Sequence, residues 1–368
     1  MALRPSSERA IYPMFTVWIR SHADMPLKVY QVANVFRYET KHTRPLIRLR
    51  EITTFIEAHT AHATAEDADA QVKEAIEAYK KFFDTLGIPY TITRRPDWDK
   101  FPGAEYTIAF DTIFPDGRAL QIGTVHNLGQ NFAKTFDITF EDLNGEQAYV
   151  YQTCYGISDR CIAALIATHG DDEGLCITPE VAPIQCVIIP IWYKGKQDEV
   201  NHDVEKLESE LDGIRVHVDS RDIRPGSKYF DWEIKGVPLR IELGPKDIKE
   251  KKVTVVRRDT GQKDSISRKD VRAGVLGLLD EISKDMKSRA QTELDNKIHE
   301  STSLEEAASI IKEGKGVVRA GWCGDEACAE KIEKMDVAIL GILENSADGD
   351  CIACKQKAKT TIQMGKSY

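Results

Sequence analysis

The segment between residues 35 and 62 constrains the fold of this chain more than any other part of the sequence. It reads VFRYETKHTRPLIRLREITTFIEAHTAH, in which two runs of β-branched, aromatic and apolar residues flank a polar, basic stretch. Such runs on either side of a polar turn predict two strands, Val29–Tyr38 and Ile47–Thr60. We therefore expect an antiparallel hairpin here, as part of a larger sheet.

Two arginines of this predicted hairpin, Arg37 and Arg48, are candidates for binding a phosphate. They lie eleven positions apart on the two predicted strands, so a hairpin could direct both at one ligand. A guanidinium group is always charged and can bind two oxygens of a phosphate, which suits the stabilisation of developing negative charge. Two arginines on a solvent-facing strand surface would have the same spacing. The spacing alone favours this second interpretation.

Composition indicates a water-soluble chain of two or three domains. There are 368 residues, with 42% hydrophobic and 30% charged, the balance of an ordinary globular protein. No apolar run approaches the roughly 20 residues that a membrane helix needs. The N-terminal MALRPSSERAIYP has no apolar signal-peptide core. We therefore expect a cytoplasmic protein without membrane partners.

The charge distribution marks one candidate RNA-binding region. The net charge of −9 argues against a general nucleic-acid coat protein. Residues 221–272 nevertheless contain 15 basic and 9 acidic side chains. A locally basic module can bind RNA phosphates on an acidic protein. A solvated basic surface is the alternative, and charge alone favours it.

The eight cysteines fall into two groups. Four are scattered among apolar residues, where buried free thiols are usual: Cys154, Cys161, Cys176 and Cys186. The other four form the pattern C-x4-C, 22 residues, C-x2-C: Cys323, Cys328, Cys351 and Cys354. In a reducing compartment two close pairs of thiols predict a tetrahedral Zn²⁺ site rather than disulfides. Four ligands would leave no open position, so the role would be structural; an empty or adventitious site is the alternative.

The order of predicted elements divides the chain into three domains. Residues 1–182 contain mostly predicted strands, with predicted helices in residues 1–20, 65–87 and 159–169. From Pro183 strands and helices alternate, which is typical of an α/β domain with a parallel or mixed sheet. A charged helix then leads into the cysteine-bearing segment. We expect domains at 1–182, 183–284 and 285–368, and an α+β and α/β multidomain fold.

Several separate motifs resemble those of the prolyl-tRNA synthetase family, which belongs to the class II aminoacyl-tRNA synthetases. Three stretches are similar to its motif 2: FRYE at 36–39, TRPLIRLRE at 43–51 and EAHTAHA at 57–63. LRPSSE at 3–8 resembles the family's proline-binding loop, and QIGTVHNLGQNFAKTF at 121–136 its ATP- and proline-contacting strand. GISDR at 156–160 with HGD at 169–171 resembles motif 3, and VAPIQCVIIPI begins a stretch similar to the anticodon-binding domain. These motifs occur in the family's order along essentially the whole chain.

The resemblance implies a fold and a reaction. The fold is an antiparallel class II catalytic sheet with helices, an α/β anticodon-binding domain and a small C-terminal α+β zinc-type domain. The reaction is ATP-dependent activation of L-proline to prolyl-adenylate, followed by transfer to tRNA(Pro). The family forms homodimers.

The resemblance also implies roles for individual residues. The proline-binding residues would be Ser6, Glu8, Arg37, Glu57, His59 and His126. The ATP-binding residues would be Arg37, Arg48, Leu49, Gln121, Thr124, Ser158 and Arg160. Arg37 and Arg160 would be the catalytic pair, Gln121 would position Mg²⁺, and the four clustered cysteines would bind Zn²⁺. Arg224, Lys246, Arg257 and Arg258 would contact the tRNA anticodon.

Some of these roles have structural alternatives in the residues themselves. Proline carries a secondary ammonium, and Glu8 supplies the anion that such a group needs. His59 and His126 could equally be buried structural histidines, an interpretation that the sequence favours outside the motif context.

The spacing of the motifs indicates a subtype. The 98 residues between Glu57 and Gly156 leave no room for the large editing insertion of bacterial-type enzymes, so we expect the archaeal/eukaryotic type. A pocket that relies on size separates similar small side chains poorly. Cysteine or alanine should therefore also be activated to some extent.

The start of the chain leaves a rival hypothesis open. In the family, motif 1 precedes the proline-binding loop, and we expect this chain to be an N-terminally truncated form whose competence is uncertain. The rival is a non-catalytic paralogue that binds tRNA. The missing motif 1 favours it, whereas a pure binder would need none of the retained residues Glu8, Arg37, Arg48, Gln121 and Arg160.

Overall fold

The computed structural model describes residues 3–40, 42–343 and 349–368. The chain forms two compact units. The first unit comprises Met1–Phe82, Tyr90–Ala164 and Glu293–Tyr368, and the second comprises Phe83–Pro89 and Leu165–Thr292.

The helices and strands follow the chain in this order. The α-helices are α1 (Glu8–Trp18), α2 (Ala65–Leu86), α3 (Asn131–Phe136), α4 (Arg160–His169), α5 (Gln197–Glu210), α6 (Pro225–Ile234), α7 (Pro245–Glu250), α8 (Val271–Asn296), α9 (Leu304–Lys312) and α10 (Glu326–Glu333). The strands are β1 (Leu27–Phe36), β2 (Glu51–His62), β3 (Thr91–Arg94), β4 (Tyr106–Ile113), β5 (Ala119–Gly129), β6 (Thr139–Glu141), β7 (Gln147–Tyr149), β8 (Tyr151–Ile157), β9 (Cys186–Pro190), β10 (Val216–Val218), β11 (Leu239–Leu243), β12 (Lys252–Arg257), β13 (Lys263–Ser267), β14 (Ile298–Glu300), β15 (Val317–Trp322), β16 (Ala338–Leu343) and β17 (Thr360–Gly365). Across the part of the chain that the structure describes, every helix is too short or too polar to cross a membrane.

A ten-stranded sheet organises the first unit. Its order is β1-β2-β8-β5-β4-β3-β16-β17-β15-β14, and its strand pairs are antiparallel except for β14 with β15. This architecture confirms the antiparallel catalytic sheet expected from the sequence. The central strands β2, β8, β5 and β4 form the floor on which the candidate site is built.

The hairpin of β1 and β2 is confirmed, with a correction to the positions of its two arginines. The pairing runs from Leu27 opposite Ala61 to Phe36 opposite Glu51, so the strands end before Arg37 and begin after Arg48. Both arginines therefore lie in the connecting loop and not on strands. The cause is local: Pro45 has no N–H for a ladder, and Leu46 has a left-handed φ of 59° that turns the chain. The N–H of Arg37 still donates to the carbonyl of Arg50 at 2.7 Å, which holds Arg37 at the hairpin's end.

Helix α1 packs on this sheet through large aromatic side chains. Tyr12 and Phe15 are completely buried, and Tyr12 contacts the ring of Phe132 edge-on at 5.4 Å between centroids. Each such burial stabilises the fold by about 2–3 kcal/mol. Because Glu8 is the first residue of α1, this packing also sets the position of its carboxylate.

The C-terminal strands continue the same sheet. Strand β16 pairs with β3 at Ile342 opposite Arg94, next to Gly341. A Cβ on Gly341 would come within 2.1 Å of Thr93 Oγ1, so only glycine allows the two strands this close. Gln363 Nε2 also donates to Thr91 Oγ1 at 3.0 Å. In the first unit the cysteine-bearing segment is thus joined directly to the strands that precede the candidate site.

The second unit has a five-stranded mixed sheet of order β10-β9-β11-β12-β13. Strands β10, β9 and β11 are parallel, and β12 and β13 are antiparallel to their neighbours. Helices α5 and α8 bury Val204 and Val275 against Ile188 and Ile241 of the sheet. This arrangement confirms the α/β module expected from the alternation of elements.

Candidate active site

A cavity of about 650 Å³ lies in the first unit above strands β2, β5 and β8. All twelve residues that the sequence analysis assigned to proline or ATP line it: Ser6, Glu8, Arg37, Arg48, Leu49, Glu57, His59, Gln121, Thr124, His126, Ser158 and Arg160. They come from the α1 start, the motif 2 loop, the two strands β2 and β5, and the α4 start. The fold thus brings together residues that are more than 150 positions apart in the chain, while their individual roles stay predictions.

One end of the cavity is acidic and buried. Glu8 and Glu57 are each about 5% exposed, and one carboxylate oxygen of each, Oε2, has no hydrogen-bond partner among the described residues. Burial raises the pKa of Glu57; the side chains of Ser7 and Gln31 oppose this shift, and the neighbouring charge of Glu8 adds to it. A buried carboxylate without a partner is costly, so these oxygens fit a ligand that carries N–H donors or positive charge.

Two histidines of this end are neutral at physiological pH. Burial lowers the pKa of His59 and of His126 to about 4. His59 Nδ1 lies 3.2 Å from the hydroxyl of Tyr12, and His126 Nδ1 lies 2.8 Å from the hydroxyl of Thr107. Neutral imidazoles can shape the pocket and share hydrogen bonds, but they do not compete with the carboxylates for a cationic ligand.

The other end of the cavity gathers three arginines. Burial, followed by the positive charges of Arg48 and Arg37, lowers the pKa of Arg160. Arg160 Nε donates to the carbonyl of Ile47 at 2.9 Å, and Arg48 Nη1 pairs with Glu39 Oε2 at 3.1 Å. Three guanidinium groups held close together repel one another unless an anion lies between them, so this end suits a polyphosphate.

Gln121 is held in the cavity wall by a residue that the sequence analysis missed. Its Oε1 accepts a hydrogen bond from Arg95 Nη2 at 3.1 Å. The same guanidinium pairs with Asp111 at 2.7 Å and donates to the carbonyl of Leu340. Arg95 was missed because it directly follows the short strand β3 outside every recognised motif. Its place next to Pro96, just after the β-branched residues 91–93, was the one local signal.

Other lining residues were missed for the same reason. Trp98 and Phe101 come from the segment that follows β3, and Cys154 comes from β8. The ring of Phe101 lies 4.7 Å from the ring of His126 between centroids. These rings give the acidic end an apolar wall next to its two carboxylates.

The four clustered cysteines come together away from this cavity. The Sγ atoms of Cys323, Cys328, Cys351 and Cys354 all lie within 4.8 Å of one another; Cys323 Sγ lies 3.6 Å from that of Cys328 and 3.8 Å from that of Cys354. A tetrahedral Zn²⁺ with Zn–S bonds of 2.3 Å separates its sulfurs by about 3.8 Å. Burial raises the pKa of Cys351, but N–H groups of Cys354 and Ala353 outweigh it and bring the value down to about 7. The donor set therefore fits zinc.

The four predicted anticodon contacts separate into two kinds. Arg224 and Lys246 are exposed on the second unit. Arg257 and Arg258 are buried instead: Arg257 binds Asp285 at 2.6 Å, and Arg258 binds both carboxylate oxygens of Asp171. This placement argues against tRNA contacts by Arg257 and Arg258, since their guanidinium groups are engaged within the unit.

Family models match three successive parts of the chain. Residues 1–169 match the tRNA synthetase class II core domain (G, H, P, S and T). Residues 185–278 match the anticodon binding domain, and residues 304–368 match the prolyl-tRNA synthetase C-terminal domain.

Whole-chain comparisons point to the same family. The chain is 53% identical over 367 residues to a proline–tRNA ligase of Methanothermobacter thermautotrophicus, covering 99% of this chain and 76% of the relative. It is 57% identical over 347 residues to a proline–tRNA ligase of Methanocaldococcus jannaschii, covering 94% and 76%.

Solved structures are similar as well. The prolyl-tRNA synthetase of Cryptosporidium parvum complexed with L-proline and AMP superposes with a TM-score of 0.93 at 37% identity, covering 99% of this chain and 80% of that one. Its complex with halofuginone and AMPPNP gives the same TM-score at 36% identity, covering 99% and 77%.

Proposed function

Since the chain belongs to the proline–tRNA ligase family of class II aminoacyl-tRNA synthetases, we propose that its 650 Å³ cavity is where proline and ATP react. The family's reaction forms prolyl-adenylate and then passes the prolyl group to tRNA. The observation that carries the proposal is the polarity of one cavity, with two buried carboxylates at one end and three arginines at the other. An amino acid and a nucleoside triphosphate need these two ends.

The acidic end would bind the amino group of proline. Glu8 and Glu57 have carboxylate oxygens without partners, and a secondary ammonium supplies two N–H donors and a positive charge. The rings of Phe101 and His126 would pack against the pyrrolidine ring. Ser6 and the neutral His59 would complete the pocket, and Arg37 would hold the carboxylate towards the nucleotide.

The basic end would bind and polarise ATP. Arg37 would hold the α-phosphate, while Arg48 and the backbone of Leu49 would hold the nucleotide. Arg160 would lie along the β- and γ-phosphates. Thr124 and Ser158 would add hydroxyl donors.

The chemistry needs no covalent intermediate with the enzyme. A carboxylate oxygen of proline attacks the α-phosphorus in line, the new O–P bond forms, and the bond to the bridging oxygen breaks to release pyrophosphate. Arg37 and Arg160 would stabilise the charge that develops on phosphorus. Positioning and electrostatic stabilisation together can supply a large part of the rate increase, about 7–11 kcal/mol from positioning alone in the best cases. The 3′-terminal hydroxyl of tRNA(Pro) then takes the prolyl group from the adenylate.

Mg²⁺ fits the wall near Gln121. An amide oxygen is a hard ligand that suits this ion, and Gln121 Oε1 accepts one hydrogen bond from Arg95 and keeps a second lone pair. The ion would neutralise charge on the β- and γ-phosphates. The residues of this chain would set its position through the Arg95–Gln121 contact.

Zn²⁺ fits the cluster of Cys323, Cys328, Cys351 and Cys354. Four thiolates leave no open position, so the proposed role is structural. The ion would tie the end of β15 and the start of α10 to the turn that contains Cys351 and Cys354.

We also infer the division of labour between domains 1–182, 183–284 and 285–368. The first would carry the chemistry, the second would bind the anticodon of tRNA(Pro), and the third would carry zinc. Arg224 and Lys246 are exposed on the second unit and would contact the anticodon arm. The proposed enzyme is a cytoplasmic homodimer, as expected for the family.

The experiment that tests the proposal is proline-dependent ATP–pyrophosphate exchange on this 368-residue chain, followed by charging of tRNA(Pro). Exchange with proline but not with glutamate or valine supports an adenylation site for a small cyclic amino acid. Binding of tRNA without any exchange would instead support the non-catalytic paralogue and contradict the proposal.

A further inference from the structure

Three potential metal ligands meet inside the acidic end of the cavity. A carboxylate oxygen of Glu8, a ring nitrogen of His59 and the sulfur of Cys154 all lie within 4.8 Å of one another. All three residues are at least nine-tenths buried. His59 and Cys154 are direct partners across the antiparallel pair β2 and β8, so both side chains project to the same face of the sheet.

Two of these side chains have an atom with nothing bound to it. Glu8 Oε2 and His59 Nε2 have no hydrogen-bond partner among the described residues. A buried polar atom without a partner costs about 1–3 kcal/mol, so the pair points to a ligand at this place. Both residues line the cavity, so the two atoms without partners belong to its wall.

The donor set selects the kind of ion. Thiolate sulfur, imidazole nitrogen and carboxylate oxygen together suit borderline divalent ions such as Zn²⁺ and Co²⁺, whereas Mg²⁺ and Ca²⁺ prefer oxygen alone. On binding, the S–H bond of Cys154 breaks, its proton leaves to solvent, and a sulfur–metal bond forms. The charges of the Glu8 carboxylate and the Cys154 thiolate then cancel that of the ion. This cancellation removes the main cost of burying either anion.

We propose that Glu8, His59 and Cys154 bind one zinc-like divalent ion inside the amino-acid pocket, and that this ion competes with proline. Three protein ligands leave a fourth position for water, unlike the four-cysteine cluster. The competition follows because the ion and the ammonium of proline require the same Glu8 carboxylate. This second part rests on the proposed function, whereas the metal site itself does not.

Cobalt absorption tests the site directly. The full chain is first loaded with one equivalent of Zn²⁺, which fills the four-cysteine cluster and binds more tightly than Co²⁺. Co²⁺ is then titrated, and the cobalt–thiolate charge-transfer band is recorded. Zinc-loaded wild type should gain a cobalt–thiolate band whose intensity saturates at one equivalent of Co²⁺. C154S should lose the band or raise the Co²⁺ dissociation constant by at least about tenfold, since even weaker changes around a metal cost that much.

Matched variants keep the result unambiguous. Cys176 is a buried free cysteine in the second unit, so C176S should keep the band unchanged. E8Q keeps the size of its side chain and should weaken the same band, which covers the case in which C154S does not fold. The metal site is overturned if zinc-loaded wild type shows no cobalt–thiolate band. It is also overturned if the band is unchanged in both C154S and E8Q.

Proline addition tests the competition. Proline should remove the cobalt band of wild type, and Zn²⁺ beyond one equivalent should raise the apparent KM for proline in wild type but not in C154S. A band that proline leaves intact overturns the competition. Exchange activity measured with Mg²⁺ but without added Zn²⁺ or Co²⁺ tests the proposed function separately. If it fails while the cobalt band depends on Cys154, the proposed function falls and the metal site remains.

Discussion

The guanidinium of Arg95 donates to the side-chain oxygen of Gln121 at 3.1 Å while it pairs with Asp111 at 2.7 Å. Asp111 is almost fully buried, and burial raises its pKa even though Arg95 opposes that shift. Arg95 thus connects a buried carboxylate to the residue that would position Mg²⁺. It also donates to the carbonyl of Leu340 on β16, so the C-terminal strands contribute to the same contact.

Replacement of Arg95 by lysine should impair catalysis without removing charge. A single ammonium can pair with Asp111 but cannot also hold Gln121 in the geometry of a planar fork. We expect R95K to lower kcat/KM for ATP by about 10–100-fold and to raise the Mg²⁺ concentration needed, since misplacement by about 1 Å has effects of that size. R94K is the matched control, because Arg94 is exposed and lies over the ring of Tyr106. Equal exchange rates in R95K and R94K would contradict this role.

Removal of zinc should disturb the candidate active site as well as the cluster. Trp322 precedes Cys323, and its ring contacts that of Trp98 edge-on at 6.1 Å between centroids. Trp98 lines the cavity. C351S should therefore change tryptophan fluorescence and slow the exchange reaction. A loss of about 3 kcal/mol in the free energy of unfolding would lower Tm by about 4–6 °C in a protein of this size.

The control for the zinc prediction uses the metal itself. Zinc released from wild type by a chelator should reproduce the effects of C351S, and zinc added back should reverse them. Full exchange activity in a protein shown to contain no zinc would count against the connection through Trp322 and Trp98.

Acid should destabilise the fold through His126. Its pKa is about 4 in the folded protein because of burial, against 6.5 in the unfolded chain. Between these values the unfolded chain binds a proton that the folded state does not, so stability falls as pH decreases from about 6.5 towards 4. At pH 5.5 this histidine alone should lower the free energy of unfolding by about 1 kcal/mol relative to neutral pH.

Urea unfolding at pH 7.5 and 5.5 checks the acid effect. H126N should show a smaller loss of stability between the two pH values than wild type, whatever its stability at pH 7.5. H202N, which removes an exposed histidine, should show the same loss as wild type. An H126N protein with the full pH dependence of wild type would rule out the assignment.

Cysteine and alanine should also be activated. The carboxylates of Glu8 and Glu57 would bind the ammonium of any small amino acid, and only the rings of Phe101 and His126 would measure its size. Cysteine lacks the pyrrolidine ring but has a similar size, and a difference of one methylene in an apolar pocket is worth only about 10–200-fold. Cysteine should therefore give exchange about a hundredfold or more below proline in kcat/KM, but above background. Exchange at background level with both amino acids, under conditions in which proline reacts fully, would refute the prediction.

The local part of the fold was predictable from the sequence. The hairpin follows from short-range patterns, and so does the end of α2, because Gly87 directly after it has the positive φ that glycine adopts readily. The strands stop short of Arg37 and Arg48 because the turn at Pro45 and Leu46 is longer than the apolar pattern indicates. The pattern shows where apolar residues are, but not where strand pairing ends.

The candidate site was predictable only where motifs exist. Arg95 and Cys154 reach the cavity because β3 pairs with β4 and β8 pairs with β2, and these pairings link distant parts of the chain. The burial of Arg257 and Arg258 was not predictable either, because it depends on contacts between distant parts of the chain. A count of charges does not show that Asp171 and Asp285 meet them in the folded unit.

The most direct test of the central claim is proline-dependent ATP–pyrophosphate exchange in R37A and R50A. Both arginines belong to the loop between β1 and β2, but Arg37 lines the cavity and Arg50 is exposed outside it. We predict that exchange is lost in R37A, by at least about a hundredfold as for removal of other transition-state donors, and kept in R50A. Equal rates in the two variants would contradict an adenylation site built around Arg37.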